Sequence, residues 1–272
     1  MRKLVHLSDI HFGRLDVAVL PVVRDAIQAI GPDVTIVSGD LTQRARTEEF
    51  EQARDFLASL PTPQIVVPGN HDVPLHNVYA RFHVPLNQYR RFITEDLEPF
   101  HSDDEIAILG INTARSLVFK NGRVNARQIA TIEDRFCACK HVVKILVTHH
   151  PFDLPSDYSH RDLVGRARQA MAGIARCKID LLLAGHYHVS HTGSTAVRYD
   201  TPGHSAIFVQ AGTLSTRGRG EPNSMNRIEI DRNHIKIERL TLLPGDDRFH
   251  SQSCEEFRCA GGEWISTHTE VP

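Results

Sequence analysis

Aspartate, asparagine and histidine gather in five short stretches of this sequence: Asp9-Ile10-His11, Gly39-Asp40, Gly69-Asn70-His71-Asp72, His149-His150 and Gly185-His186-Tyr187-His188. Asp9 and Asp40 offer hard carboxylate oxygens, Asn70 a neutral carbonyl, and the histidines borderline nitrogens, a donor mixture suited to divalent metal ions. Asp9 and His11 are two apart, so in an extended segment both face one side, and His186 and His188 share that spacing. Asp40 has two carboxylate oxygens and can bridge two metals. Two divalent ions bring a charge of about +4, and two carboxylates return about −2, leaving a centre that holds an anion and lowers the pKa of water toward ~7. Two such ions ~3.5–4 Å apart clamp the attacking and leaving oxygens of an in-line displacement at phosphorus, with a metal-bridging hydroxide as attacker. The leaving alkoxide then needs a proton. His71 is the nearest acid, and Asp72 is placed in sequence to orient its imidazole or hold it protonated.

Taken singly these residues have ordinary explanations. Asp9 or Asp40 can cap a helix, Asn70 can make a turn, and His150, His160 or His191 can be surface or core histidines. Five such stretches in series are another matter, because each follows an apolar run that reads as a strand: Lys3–Ser8, Val34–Ser38, Gln64–Val67, Val142–Thr148 and Ile179–Ala184. In open α/β sheets ligands collect at the carboxyl ends of strands. Helical patterns lie between: Val22, Val23, Ala26, Ile27 and Ile30 before Gly31-Pro32; Thr47 as an N-cap ahead of Phe50, Ala53, Phe56, Leu57 and Leu60; residues 126–137; and Leu163 to Ile174. Residues 74–104 form a partly helical excursion, after which Ile106–Ile111 returns to strand. Of Val78, Phe82, Val84, Leu86, Phe92 and Ile93 in the excursion, helical periodicity favours a core-facing side over an exposed apolar groove. After His188, Thr192–Val197, Ala206–Ala211, Arg227–Asp231 and His234–Leu243 read as strands without helices, the last two joined by a hairpin at Arg232-Asn233. A parallel first half and an antiparallel second half predict two packed sheets with helices outside. The expected organisation is one domain over residues 1–243 and a polar tail over 244–272, with Phe249, Phe257 and Trp264 as docking points.

Composition narrows the class. In 272 residues there are 31 Lys+Arg against 33 Asp+Glu, 41% hydrophobic and 24% charged residues, and 17 His. That balance excludes a disordered chain, a collagen-like repeat and a strongly basic polyanion binder, so no stable nucleic-acid binding is expected. Arg90-Arg91 and Arg217-Gly218-Arg219 are small basic clusters that read as solvated surface, Arg217 and Arg219 being the candidates for contact with a substrate phosphate. No other substrate contact is assigned. Five cysteines (Cys137, Cys139, Cys177, Cys254 and Cys259) are odd in number and scattered, which predicts reduced, mostly buried thiols. No apolar run reaches the ~20 residues of a membrane span, and Met1-Arg2-Lys3 is not followed by a signal-peptide core. The expectation is a soluble, cytoplasmic protein acting on a small molecule, with a homo-oligomer left open.

The motifs resemble those of the calcineurin-like metallophosphoesterase family, whose signature runs DxH, GDxx, GNH followed by D or E, a histidine at a strand end, and GHxH. All five occur in order, over roughly residues 1–243. The resemblance implies an α/β fold, a four-layer αββα sandwich of two mixed sheets flanked by helices. It implies one metal site of Asp9, His11, Asp40 and His188 and another of Asp40, Asn70, His149 and His186, bridged by Asp40, with His71 as acid or transition-state donor. The cofactors would be two divalent ions: manganese, iron (Fe2+/Fe3+) or zinc. Within the family the chain looks most like bacterial class III phosphodiesterases, which include cyclic-nucleotide and glycerophosphodiester hydrolases; Gly110-Ile111-Asn112-Thr113 and Gly122-Arg123-Val124 fit that layout. The implied activity is hydrolysis of a small phosphodiester such as a 3′,5′-cyclic nucleotide. The alternative is a nucleotide-sugar or lipid pyrophosphatase of the UDP-2,3-diacylglucosamine hydrolase type, which carries Arg at the position of His71. A binding scaffold without catalysis is disfavoured, since no ligand of the pattern is missing.

Overall fold

The computed structural model describes residues 1–140, 143–199, 201 and 203–267. Thirteen strands are described: β1 (Arg2–Leu7), β2 (Val34–Val37), β3 (Gln64–Val66), β4 (Phe100–Ser102), β5 (Ile106–Ile111), β6 (Val143–Thr148), β7 (Leu181–Ala184), β8 (His191–Ser194), β9 (Ile207–Gln210), β10 (Asn223–Asp231), β11 (His234–Leu242), β12 (His250–Ala260) and β13 (Glu263–Ser266). The helices are α1 (Val19–Ile30), α2 (Thr47–Ala58), α3 (Val78–His83), α4 (Asn87–Phe92), α5 (Ala126–Ala138) and α6 (Ala167–Arg176). Val142, expected to open a strand, lies outside the described residues.

The strands form two mixed sheets, in the orders β13-β12-β11-β10-β1-β2-β3 and β4-β5-β6-β7-β9-β8. Parallel β1-β2-β3 and β5-β6-β7-β9 supply the strand ends that carry the motifs. Two mixed sheets are as expected, and each draws strands from both halves of the chain. The antiparallel strands β10 to β13 extend the N-terminal sheet, because β10 pairs antiparallel with β1 from Arg2↔Ile230 to His6↔Asn226.

Leu4, Ile36, Ile108, Ile145, Leu183 and Ile228 interleave between the sheets. On the outer faces Val23, Ile27, Phe50 and Phe56 of α1 and α2 pack under one sheet, and Ile132, Phe136, Met171 and Ile174 of α5 and α6 under the other. The order helix–sheet–sheet–helix is the four-layer sandwich. Runs such as Ile106–Ile111, buried at every residue, are apolar throughout because both their faces are covered.

Several local expectations are revised. The residue before α2 is Arg46, not Thr47; Glu49 reaches back to the Arg44 and Arg46 amides, while Thr47 Oγ1 accepts from Gln88 Nε2 at 2.7 Å. The excursion divides: Leu86, Phe92 and Ile93 pack on the core, but Val78, Phe82 and Val84 are exposed. The stretch read as a polar tail contains β12 and β13, and it buries Phe257 and Trp264 against the inter-sheet core. Cys137 and Cys177 are joined in a disulfide rather than reduced, since the packing of α5 beside α6 brings their Cα atoms to 4.5 Å; Cys139, Cys254 and Cys259 are free and half-buried. Among the described residues no helix is long and apolar enough to cross a membrane.

Candidate metal centre

The loops after β1 and β2 are laced together by their backbones: Asp9 N–H donates to Gly39 O (3.0 Å), His11 N–H to Asp40 O (3.0 Å) and Phe12 N–H to Leu41 O (2.8 Å). The strand ends turn sharply here. Asp9, His11 and Asp40 have φ of 53°, 51° and 52°, and His186 and His188 have 81° and 60°. Such left-handed conformations are unfavourable for residues other than Gly, least so for Asp, Asn and His, and they cluster at functional sites. The segments are therefore not extended; Asp9 and His11 still face one centre, 3.6 Å apart from Oδ1 to Nε2, but the same spacing does not put His186 and His188 together. His186 and His188 turn to different partners.

Two groups result. Donor atoms of Asp9, His11, Asp40 and His188 lie within 4.8 Å of one another, as do those of His149, His150 and His186. Asp40 links the groups, its Oδ2 being 3.7 Å from His11 Nε2 and 3.3 Å from His149 Nε2. Asn70 Oδ1 is 3.2 Å from His149 Nε2. All seven residues named as ligands thus converge, and His150 joins them; the doubled histidine after β6 was its only signal in the sequence.

The supports explain why these atoms face inward. Each carboxylate is fastened by one oxygen: Asp9 Oδ2 accepts from His186 N–H (2.9 Å) and Asp40 Oδ1 from His71 N–H (2.8 Å). The rings are held from behind by carbonyls. His149 Nδ1 faces Ser38 O at 2.8 Å, His188 Nδ1 faces Arg217 O at 3.0 Å, and His11 Nδ1 faces Thr42 O at 3.3 Å. A carbonyl only accepts, so these Nδ1 atoms carry hydrogen and the Nε2 atoms point to the centre. There His11 Nε2 meets His188 Nε2 at 3.1 Å, and Asp9 Oδ1 lies 3.1 Å from His188 Nε2. Asp9 Oδ1, His150 Nε2 and His186 Nε2 are buried without any hydrogen-bond partner. Leaving buried polar atoms unpaired costs ~1–3 kcal/mol each. Buried oxygen and nitrogen donors converging on one space fit a cation, and the residues present match a mixed nitrogen–oxygen donor set.

Electrostatics agree. Burial works against the charges of Asp9 and Asp40, but the surrounding histidines outweigh it and hold both carboxyls below the usual range. Burial and then the neighbouring His149 push His186 down to about 3, whereas against the same burial Asp40 draws His149 up to about 9.

His71 sits at the rim, with its Nδ1 2.9 Å from Gln43 O and its Nε2 facing the centre. Asp72 does not touch that imidazole. It is fully buried and accepts from the Leu41, Thr42 and Gly69 amides and Thr42 Oγ1, tying the loop after β2 to the loop after β3. The Gln43 carbonyl takes the orienting role expected of Asp72, because Asp72 points back under its own loop.

The model of the calcineurin-like phosphoesterase family matches residues 2–190. The chain belongs to that family. A probable cyclic nucleotide phosphodiesterase of Moraxella catarrhalis is 24% identical over 203 residues, 70% of this chain and 72% of that protein. A glycerophosphodiester phosphodiesterase of Enterobacter lignolyticus is 35% identical over 82 residues, 25% of this chain and 29% of that protein. Among solved structures, a dimetal phosphatase from Danio rerio aligns with a TM-score of 0.65 at 11% identity, covering 92% of this chain and 98% of that one. Purple acid phosphatase from yellow lupin aligns with a TM-score of 0.72 at 11% identity, covering 99% of this chain and 57% of that one. At such identities the likeness is one of fold.

Proposed function

We propose that this member of the family is a dinuclear-metal phosphodiesterase acting on a small diester, a 3′,5′-cyclic nucleotide or a glycerophosphodiester being the candidates that the named relatives suggest. One observation carries the reading: carboxylate oxygens and imidazole Nε2 atoms from five strand ends aim at two adjoining centres. Asp9, His11, Asp40 and His188 would hold one cation, and Asp40, Asn70, His149 and His186 the other, with His150 at the second centre's edge. Manganese, iron or zinc suits these donors. Bound divalent cations supply positive charge that polarises a phosphoryl oxygen and makes water a nucleophile near neutral pH.

The chain's own part is positioning and proton transfer. Asp40, fixed by the His71 amide, keeps the two centres in register. His71 presents Nε2 from the rim, where a proton on that atom would pass to the departing alkoxide. The Gln43 carbonyl prevents the ring from turning Nδ1 inward.

The test is turnover by protein reconstituted with manganese, iron or zinc, compared on cyclic nucleotides, glycerophosphodiesters, a UDP-sugar and a phosphomonoester. The expected result is diester hydrolysis that chelation abolishes and metal restores. Asp40→Ala should lose both bound metal and at least ~100-fold in rate, since it removes a ligand shared by two centres. Full activity in excess chelator, or two metals and normal turnover in Asp40→Ala, would defeat the reading.

A further inference from the structure

Arg217 lies in the loop between β9 and β10, and its side chain reaches the edge of the centre. Its Nη1 is 3.0 Å from His71 Nε2, 3.3 Å from His11 Nε2 and 3.5 Å from Gln43 Oε1. None of these neighbours is an anion. Among the described residues no carboxylate lies within 4.0 Å of this guanidinium, although the half-buried Arg198 and Arg239 pair with Asp153 and Glu221. Arg219, the other member of the basic cluster, turns away to lie 5.8 Å over the Tyr187 ring. A guanidinium held in a pocket without its anion, beside a phosphoryl-transfer centre, is short of one partner.

We propose that Arg217 grips a non-bridging phosphoryl oxygen of the substrate, exchanging its contact with His71 for the incoming anion. The inference rests on the reading of the centre as a phosphodiesterase site. The planar fork of Arg donates to phosphate oxygens in a way a point charge does not. The main chain of Arg217 is pinned, its carbonyl accepting from His188 Nδ1 and its amide donating to Ser215 Oγ at 3.3 Å, so the exchange needs only side-chain rotation. Nη1–H occupies the lone pair of His71 Nε2. When the guanidinium moves to the anion, that ring nitrogen is free to take up a proton from solvent and pass it to the leaving oxygen. One residue would thus both select an anionic substrate and free the rim histidine only when the anion is in place.

The experiment uses the full chain loaded with manganese, as wild type, Arg217→Ala and Arg217→Lys. Metal per chain is measured, inorganic phosphate binding is followed by calorimetry, and hydrolysis of bis(p-nitrophenyl) phosphate gives kcat and KM separately. Arg217→Ala should keep its metal, because the carbonyl that supports His188 is main chain. It should bind phosphate at least ~10-fold more weakly and lose ~100-fold in kcat/KM, with KM raised, and Arg217→Lys should fall between. Unchanged phosphate affinity and KM in Arg217→Ala would overturn the proposal, as would loss of metal in parallel with loss of phosphate. A wild type that binds phosphate through Arg217 yet hydrolyses no diester would sink the proposed function and leave this inference standing.

Discussion

The imidazole of His71 is the residue on which chemistry and geometry meet. Burial lowers its pKa, with neighbouring His11 and Arg217 acting in the same direction and Asp40 against them. A neutral ring with hydrogen on Nδ1 has a lone pair toward the substrate, so donation to the leaving group requires a second proton. His71→Ala should therefore retain its metals and slow diesters with poor alkoxide leaving groups by ~10²–10⁴-fold, while nitrophenyl diesters, whose leaving groups need no proton, lose much less. The measurement is kcat/KM across leaving groups of graded pKa; equal losses along the series would rule out the acid role. The residue types that converge and their order are legible in the sequence, because oxygen and nitrogen donors after strands have few other uses in that density. The role of Asp72 is not legible. Adjacency in sequence to His71 suggests contact, but consecutive residues point apart, and four donors under the loop outbid one ring.

At the scale of elements, the centre depends on how closely five loops approach, and glycine sets that distance. Gly69 passes so near Asp40 that an added Cβ would fall on Asp40 Oδ1, and one at Gly185 would fall on Ser8 Oγ and within 2.5 Å of Asp9 Oδ2. Gly185→Ala should push Asp9 and His186 apart, leaving the fold intact but removing metal from the Asp9, His11 and His188 group. Metal stoichiometry with an unchanged circular dichroism spectrum would show this, and a variant holding two metals per chain would refute it. Strand positions are readable within a residue or two because buried parallel strands are apolar runs bounded by polar turns. Left-handed backbone at Asp9, His11 and Asp40 is not, since those types are common in ordinary turns as well. Arg217 is visible as part of a basic pair, yet only the path of the loop after β9 separates it from Arg219, and loop paths leave no periodicity to read.

Across the whole molecule the first three strands and the last four share one sheet, and this is where pattern alone fails most. Residues 250–266 look polar because β12 and β13 lie at a sheet edge with one face in solvent, so only alternate positions such as Phe257 and Trp264 betray burial. Trp264 packs with the inter-sheet core and donates Nε1–H to Asp180 Oδ1 at 2.9 Å, joining the last strand to the start of β7 in the other sheet. Trp264→Ala should cost ~3–5 kcal/mol in urea unfolding, a figure for large-to-small changes at buried aromatics; a loss under ~1 kcal/mol, as for surface changes, would show that the last strands are dispensable. The core also sets a pH limit. His6 is fully buried on β1, with Nε2 2.8 Å from Ser38 Oγ and Nδ1 unpaired, and burial drives its pKa down to about 3 against the opposing charge of Asp9. In the unfolded chain the same ring titrates near 6.5, so between those values the unfolded state binds the extra proton. The contribution is complete above about pH 6.5 and is lost as pH falls toward 3, at up to ~1.4 kcal/mol per pH unit. Other histidines near the centre titrate too, so the decisive quantity is the difference between wild type and His6→Gln, measured as urea midpoints from pH 7 to 5 at fixed metal concentration. The variant should show the shallower slope; parallel slopes would mean that His6 takes up its proton without leaving the folded state.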